Sequence, residues 1–279
     1  MTSAAERWAE QVQQHHAQTE RARERSGDED FWSPIAKAFR DDPAREGDPV
    51  LNRLYGWVSA DSTVLDVGGG AGRFAIPLAR RCRHVTVVEP SDSMIEMLRS
   101  TAAEAGVDNI TVVQEKWEDA QAEPADIVLC AHAVYGIVEI EPFLRKLADH
   151  ARQRAVIVVH SVAPIAIAAP FWKTVHGEER IVLPALPELL PVLWEMDVWP
   201  DVEMLGASRR RIVDDPGMAL TWLRHMTWVR QGSEKERLLE GMLDGLYDSA
   251  QGKYVLGGGG RKQGIVTWVT ESAPEIAAS

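Results

Sequence analysis

Four glycines that follow a short apolar strand form the first candidate site in this sequence. The strand is residues 64–67, and Gly68, Gly69, Gly70 and Gly72 come directly after it. Glycine lets the backbone approach a ligand closely and adopt angles that a Cβ atom would forbid. In open α/β sheets, ligands bind at the carboxyl ends of parallel strands. The turn therefore predicts a ligand that lies against the main chain.

Two acidic residues accompany this turn. Asp66 lies at the carboxyl end of the first strand, and Glu89 ends a second apolar strand, residues 85–88. A carboxylate at the end of the second strand can accept hydrogen bonds from both hydroxyls of a ribose. The pattern therefore predicts a ligand that contains a ribose. The alternative interpretation is a structural glycine turn beside a surface acid.

The spacing of the glycines separates two nucleotide-binding patterns. The dinucleotide fingerprint Gly-x-Gly-x-x-Gly would need a glycine at the position of Arg73. The run Asp66-x-Gly68-x-Gly70-x-Gly72 instead resembles motif I of the class I S-adenosylmethionine (SAM) dependent methyltransferases. The resemblance extends over roughly residues 50–160. It implies an α/β fold with a Rossmann-like, doubly wound, seven-stranded sheet, in which the last strand runs antiparallel between the fifth and the sixth.

The same resemblance implies which residues bind SAM. They are Asp66, Gly68, Gly69, Gly70, Gly72, Glu89, Pro90, Met94, Trp117, Glu118, Cys130 and Ala131. Glu89 would hold the ribose and Met94 would lie over the adenine, while Trp117 and Glu118 would offer the adenine an apolar contact and a hydrogen bond. The alternative is a core position for Met94 and ordinary loop positions for Trp117 and Glu118.

His132 follows the fourth predicted strand and is the candidate catalytic base. Methyl transfer from a sulfonium requires the nucleophile, the methyl carbon and the sulfur in line, and such positioning can lower a barrier by about 7–11 kcal/mol. An oxygen or nitrogen nucleophile that carries a proton also needs a base or a water path. Tyr135 is the predicted orienting or proton-relaying partner. The alternative is that His132 packs at the strand end or only lines the cofactor.

Motifs of several methyltransferase subtypes are missing from the sequence. No Asn-Pro-Pro-Tyr or Asp-Pro-Pro-Tyr follows the fourth strand, which disfavours methylation of amino groups on bases. No Pro-Cys dipeptide is present to supply the nucleophile of covalent cytosine methylation. The run from Cys130 to His132 offers no carboxylate cluster, so we expect no metal. A small-molecule acceptor remains.

The charge and hydropathy of the chain favour a cytoplasmic protein without nucleic-acid or membrane partners. Thirty Lys and Arg residues against 42 Asp and Glu give a formal net charge of −12, which repels phosphate backbones. The N-terminus has no apolar signal core. The most apolar region, residues 156–172, is interrupted by Pro164 and is too short to cross a bilayer. The oligomeric state, monomer or homodimer, stays open.

The domain organisation follows from where the motifs lie. Residues 1–47 are predicted as a helical N-terminal extension or lid. Residues 48–279 are predicted as the methyltransferase domain, with a helical insertion at about residues 214–256. This insertion lies outside the part that resembles the family.

Two aromatic-rich segments are predicted to cover the acceptor. They are residues 31–39 and residues 218–247. Aromatic side chains combine a large apolar area with a polar group, which suits an apolar acceptor. We expect a closed pocket between the segments, with His132 and Tyr135 on its floor. The alternative is that both segments only complete the core or a dimer contact.

Other functions stay open on the sequence alone. A SAM-binding protein without catalysis, acting as a regulatory subunit, would have the same cofactor residues. A protein methyltransferase is expected if His132 faces open solvent. A nicotinamide dehydrogenase is disfavoured by Arg73 in the glycine motif. Thermal stabilisation by SAM against NAD would separate the cofactors, because a ligand that binds only the folded state raises its stability.

Overall fold

Ten β-strands and nine α-helices form the part of the chain that this computed structural model describes, residues 2–24, 30–207, 211–256 and 261–270. The strands are β1 Thr63–Val67, β2 His84–Val88, β3 Ile110–Val113, β4 Ala125–Ala131, β5 Ala151–His160, β6 Asp201–Ala207, β7 Arg211–Val213, β8 Tyr247–Asp248, β9 Lys253–Leu256 and β10 Lys262–Val269. The helices are α1 Ala4–Ala22, α2 Pro49–Tyr55, α3 Ala75–Ala79, α4 Asp92–Glu104, α5 Ile140–His150, α6 Ala169–His176, α7 Leu186–Glu195, α8 Pro216–Thr227 and α9 Glu234–Glu240.

A seven-stranded mixed sheet lies at the centre of the fold. Its strand order is β3-β2-β1-β4-β5-β10-β6. The first five strands are parallel to one another, and β10 is antiparallel to both β5 and β6. The predicted Rossmann-like sheet is therefore confirmed, including the antiparallel last strand between the fifth and the sixth.

Helices cover both faces of this sheet, as the near-continuous apolar strands require. In one core layer, α1, α5 and α7 pack against the sheet, and their contacts include Trp8, Phe143 and Leu189. In the other core layer, α2 and α3 pack against the sheet, and their contacts include Leu51 and Leu78. The loops that follow β4 and β5 continue the first of these layers, through Val134, Tyr135 and Ala163.

The predicted N-terminal extension has two separate roles in the structure. Helix α1 begins at a capping box between Ser3 and Glu6 and packs on the face of the sheet, where the Trp8 indole donates to the Ile137 carbonyl at 2.7 Å. The segment from residue 30 to residue 39 lies at the ligand edge of the sheet, where Asp30 contacts Ser91 and Ser93. It forms only a short 3₁₀ turn, Ala36–Phe39.

The C-terminal insertion contains strands as well as helices. Strands β7, β9 and β8 form a small antiparallel sheet in that order, and α8 contacts β7 and β9. The segment at residues 214–256 is thus not wholly helical. Across the described ranges, we find no helix that combines the length and the apolar character needed to cross a membrane.

Candidate functional site

Packing fixes two of the glycines that follow β1. Gly68 has a φ of 69°, in the left-handed region, and its amide donates to the Val88 carbonyl at 2.8 Å. A Cβ on Gly68 would lie 2.5 Å from the Ala133 Cβ, and one on Gly69 would lie 2.8 Å from Val87 Cγ1. Side chains at these two positions are excluded by the loop after β4 and by β2, respectively.

Gly70 differs from its neighbour Gly72. Both have positive φ angles, 55° and 81°. A Cβ on Gly72 would lie 2.9 Å from the Ile76 side chain, whereas one on Gly70 would meet nothing closer than Met94 Sδ at 4.0 Å. Gly70 is therefore the glycine of this turn whose missing side chain leaves room for a ligand.

Asp66 is a buried acid whose carboxyl group has no partner in the described structure. The residue is 1% exposed, and neither of its carboxyl oxygens makes a hydrogen bond. Burial, and then the nearby Glu89 carboxylate, raise the pKa of Asp66 from 3.8 to about 7. Buried polar groups are nearly always paired. An unpaired carboxyl in this glycine turn fits a ligand that brings a cation or a hydrogen-bond donor.

Glu89 ties the glycine turn to the end of β2. One carboxylate oxygen accepts the Gly70 amide at 2.9 Å and the other accepts the Ser91 amide at 3.0 Å. Burial raises the pKa of Glu89, although these two amides act in the opposite direction. Each oxygen keeps a second lone pair, so Glu89 can still accept hydrogen bonds from a ligand.

Residues 30–39, which we call the clasp, lie over this turn and over the start of α4. Asp30 accepts the Ser91 hydroxyl at 2.8 Å and the Ser93 amide at 3.0 Å. Ala36 packs with Ala71 and Met94. The N-terminal part of the chain therefore contacts the predicted cofactor residues through the clasp, and α1 does not have that role.

The clasp also contacts the C-terminal insertion. The Trp32 and Phe39 rings are 5.2 Å apart, edge to face, and pack in one cluster with Trp222 of α8. The ring centroids of Phe31 and His225 are 4.3 Å apart. The two aromatic segments thus meet each other at the ligand edge, and the closed acceptor pocket between them stays a prediction.

The structure brings His132 and Tyr135 together at the end of β4. His132 has a φ of 61°, which is rare for a residue with a side chain. Its Nδ1 lies 3.2 Å from the Tyr135 hydroxyl, and its Nε2 lies 2.9 Å from the Gln263 amide nitrogen of β10. The ring also stacks on His160, at the end of β5, with centroids 4.3 Å apart.

Burial keeps the ring of His132 and the hydroxyl of Tyr135 neutral. Burial and the neighbouring His160 lower the pKa of His132 well below 6.5. Burial raises the pKa of Tyr135, whose oxygen accepts the His160 amide at 2.8 Å. Since neutral imidazole donates through one nitrogen and accepts through the other, Nδ1 donates to Tyr135 while Nε2 accepts from Gln263.

Sequence reasoning missed His160 and Gln263 as members of this cluster. His160 ends the strand beside the one that His132 follows, so the predicted strand order was a signal that could have placed the two together. Gln263 carried no such signal, because the register of β10 against β5 pairs it with His160 only in the folded sheet. The role of Asp30 was missed for the same reason.

For four of the predicted cofactor residues, a contact with SAM stays a prediction. Trp117 is buried beneath α5, where its indole faces the Phe143 carbonyl at 3.4 Å, and Glu118 is exposed. These contacts explain Trp117 by packing, so adenine roles for Trp117 and Glu118 stay predictions. Pro90 is exposed directly after Glu89, and Ala131 is the half-buried end of β4.

Cys130 is an inert thiol beside the site. It is fully buried, and burial together with the nearby Asp66 raises the pKa of its thiol. Cys82 is also buried and free, and burial likewise raises its thiol pKa. Neither cysteine supplies a thiolate nucleophile at neutral pH. Nor do the described residues contain any group of three or more His, Cys, Asp or Glu side chains arranged to hold a metal ion.

Comparison with known proteins agrees with this architecture. Residues 64–154 match a family model described as a methyltransferase domain. The ubiquinone biosynthesis O-methyltransferase of Rickettsia felis is 28% identical over 100 residues, 36% of this chain and 41% of that protein. The 23S rRNA (uracil(1939)-C(5))-methyltransferase RlmD of Aliivibrio salmonicida is 30% identical over 137 residues, 48% of this chain and 28% of that protein. The chain thus spans well under half the length of these relatives.

Solved structures share the fold at low identity. Magnesium protoporphyrin IX methyltransferase of Synechocystis PCC 6803, with bound S-adenosylhomocysteine (SAH), has a TM-score of 0.53 at 14% identity, covering 87% of this chain and 97% of that one. A SAM-dependent methyltransferase of Geobacter sulfurreducens in complex with SAH has a TM-score of 0.51 at 19% identity, covering 85% and 96%. Both similarities extend over most of this chain.

Proposed function

We propose that this chain, which carries a class I, Rossmann-like SAM-dependent methyltransferase domain, transfers the methyl group of SAM to an oxygen or nitrogen of a small-molecule acceptor. The observation that carries this proposal is the glycine turn after β1, where Gly70 leaves open space in place of a Cβ and the buried carboxyl of Asp66, next to Gly69, has no hydrogen-bond partner among the described residues.

The residues at the glycine turn fit SAM. SAM supplies an activated methyl group on a sulfonium, together with an ammonium and a ribose. Asp66 lacks a hydrogen-bond partner, and an ammonium would provide both a donor and a compensating charge. Glu89 would accept from the ribose hydroxyls, and Met94 lies beside the turn for an apolar contact. Gly68, Gly69 and Gly72 hold the main chain in the shape that this requires.

The clasp and the insertion favour a small acceptor. Together they place aromatic side chains over the ligand edge of the sheet. Exclusion of water from this edge would strengthen every polar contact to the reacting groups. Relatives named for ubiquinone biosynthesis and for magnesium protoporphyrin IX are consistent with a small-molecule acceptor.

RNA is a weaker candidate even though one group of relatives is named for 23S rRNA. The net charge of −12 opposes a phosphate backbone. Covalent methylation of a pyrimidine ring carbon would need a cysteine thiolate, and both cysteines of this chain are buried with raised pKa values. Ribosomal RNA transcripts belong in the acceptor panel as the competing outcome.

His132 is the proposed base, acting through Nε2. Its Nδ1–H is held by the Tyr135 oxygen, and this fixes the tautomer that leaves Nε2 as the proton acceptor. In the structure, the side-chain amide of Gln263 donates a hydrogen bond to Nε2. An acceptor hydroxyl or amine that displaces this amide would pass its proton to Nε2 as the methyl group is transferred. Tyr135 would then be a positioning residue.

The experiment that tests the proposed function is an activity screen with a binding control. Purified protein is first heated with SAM, SAH or NAD, and SAM and SAH should raise the melting temperature while NAD should not. It is then incubated with labelled SAM and a panel of phenols, amines and carboxylic acids, with ribosomal RNA in parallel. Methylated small molecules are the expected result. SAM binding without any methylated product would favour a regulatory protein.

Substitution of Glu89 should weaken cofactor binding more than it weakens the fold. Glu89→Gln keeps one oxygen acceptor for a backbone amide but removes the charge that strengthens hydrogen bonds to the ribose. We expect the free energy of SAM binding to fall by about 1.5–3 kcal/mol, measured by titration calorimetry. Glu96→Gln, on the exposed side of α4, is the matched control and should leave binding unchanged. Equal affinities for wild type and Glu89→Gln would rule out the ribose contact.

The pH profile should report on His132. Because its pKa is lowered well below 6.5, the imidazole is neutral at pH 7, and kcat should stay level from pH 7 to pH 9 and decline only in the acidic range. His132→Gln should lower kcat by roughly 10²–10⁴-fold, as expected for loss of a general base. SAM affinity should not change. A variant with wild-type kcat would leave His132 with a packing role only.

A further inference from the structure

Arg261 is a cation with an unused hydrogen-bonding edge next to the His132 cluster. It directly precedes β10, two residues before Gln263, and is half-buried. Its Nη1 donates to the Pro164 carbonyl at 3.1 Å. Its Nε is buried and has no hydrogen-bond partner among the described residues. Nε and Nη2 share one edge of the guanidinium, so the edge turned away from Pro164 is the one that can receive a planar anion.

His160 presents a second unpaired group on the neighbouring strand, where the Ser161 amide donates to the carbonyl of Lys262, the residue after Arg261, at 2.8 Å. The residue is 7% exposed, and its Nδ1 makes no hydrogen bond within the described ranges. Its ring stacks on His132, the proposed base. Burial, and then the charge of Arg261, lower the pKa of His160 to about 4, so the imidazole is neutral and Nδ1 can carry a hydrogen to donate.

Other arginines whose side chains are largely buried have carboxylate or polar side-chain partners. Arg45 contacts Asp48 at 3.0 Å, and Arg224 contacts Glu236 at 2.8 Å. Arg180 is buried without a carboxylate, but its terminal nitrogens bond to three side chains of α1. Within the described residues, no ion pair includes Arg261. A partly buried cation without a counter-ion is unfavourable unless a ligand supplies one.

We propose that the methyl acceptor carries a carboxylate, which Arg261 and His160 bind beside His132. This inference rests on the proposed function, because it assigns the substrate class of the same site. The guanidinium edge matches the two oxygens of a carboxylate, and His160 Nδ1–H adds a third donor. A chain with a net charge of −12 repels anions overall, so an anionic acceptor needs a local cation to hold it.

The proposal is tested with matched pairs of acids and amides. The probes are 4-hydroxybenzoate and 3,4-dihydroxybenzoate with their carboxamides, titrated by calorimetry into protein saturated with SAH. In the wild type, each acid should bind more tightly than its amide. Arg261→Gln should weaken binding of the acids by roughly tenfold to a hundredfold, the range for loss of a charge-assisted hydrogen bond, and leave the amides unchanged. Arg261→Lys should restore part of the preference.

Two controls distinguish a loss of ligand recognition from a loss of protein stability. Arg152→Gln removes an exposed arginine at the far end of β5 and should bind acids as the wild type does. Without ligand, Arg261→Gln should be at least as stable as the wild type, since it removes a partly buried, unpaired charge. Acids and amides that bind equally to the wild type, or an acid preference that survives in Arg261→Gln, would overturn the proposal. So would strong destabilisation of the ligand-free variant.

The two proposals fail in different ways. If SAH gives no binding heat, the proposed function fails. The acid-against-amide preference can still be measured on the ligand-free protein in that case. If SAH binds and neutral acceptors are methylated with no effect of Arg261→Gln, the methyltransferase stands and the carboxylate site does not.

Discussion

Replacement of Asp66 by asparagine should stabilise the ligand-free protein at pH 8 and remove most of its affinity for SAM. The buried carboxyl has no hydrogen-bond partner, and its pKa is raised from 3.8 to about 7. A shift of that size corresponds to about 4 kcal/mol of lost folding free energy above pH 7. The asparagine amide is also buried without partners, so the net gain is smaller, on the order of 1–3 kcal/mol.

The sign of this effect depends on pH. Between about pH 4 and pH 7 the folded protein keeps a proton on Asp66 that the unfolded chain releases, so this group lowers stability as the pH rises. The gain from Asp66→Asn should therefore be large at pH 8 and small at pH 4. His15 and His160, whose pKa values are lowered to about 4, act in the opposite direction below pH 6.5. They are present in both proteins and cancel in the difference.

Two measurements check this prediction. Urea unfolding at both pH values gives the stability difference, and thermal shift with SAM gives the change in affinity. Asp126→Asn is the control, because Asp126 lies on the neighbouring strand and accepts the Thr63 amide at 2.7 Å. That variant should lose stability and keep SAM binding. A stability gain in Asp66→Asn that is the same at both pH values would show that Asp66 ionises freely in the folded state.

The sheet and the glycine turn at its carboxyl edge could be predicted because their signals are local. An apolar strand, glycines at fixed intervals and an acid after the next strand are all contained in residues 64–89. Each of these features has a physical reason that does not depend on distant parts of the chain. The observed strand order and the positions of Gly70 and Glu89 agree with that pattern.

Other parts of the site depend on contacts between distant segments, and the sequence does not encode these in a local pattern. The spacing of apolar residues predicts that α1 is a helix but does not specify the surface it covers, and it is residues 30–39 that contact the glycine turn and the start of α4. The cluster of His132, His160 and Gln263 forms only when β10 enters the sheet beside β5. Short strands such as β7 and β8 have too few residues for a recognisable period.

The four glycines of the turn should respond differently to a side chain. A Cβ on Gly68 would overlap Ala133 at 2.5 Å, and one on Gly72 would press on Ile76 at 2.9 Å. Each also has a positive φ angle, where an L-residue is strained by roughly 1–2 kcal/mol. Overpacking of a tight core adds about 1–3 kcal/mol. Gly68→Ala and Gly72→Ala should therefore be strongly destabilised, and neither can report on cofactor binding alone.

Gly70→Leu is the substitution that should remove cofactor binding and leave the protein folded. Its Cβ meets no protein atom closer than 4.0 Å, so the leucine side chain would extend into the space proposed for SAM.

Gly106→Leu is the matched control. Gly106 has a φ of 65° and no atom within 4 Å of its missing Cβ, but it lies beyond the end of α4. Both variants should lose a similar 1–2 kcal/mol of stability to backbone strain. Calorimetry with SAM should give wild-type affinity for Gly106→Leu and no measurable binding for Gly70→Leu. Undiminished affinity in a folded Gly70→Leu protein would place the cofactor somewhere other than the glycine turn.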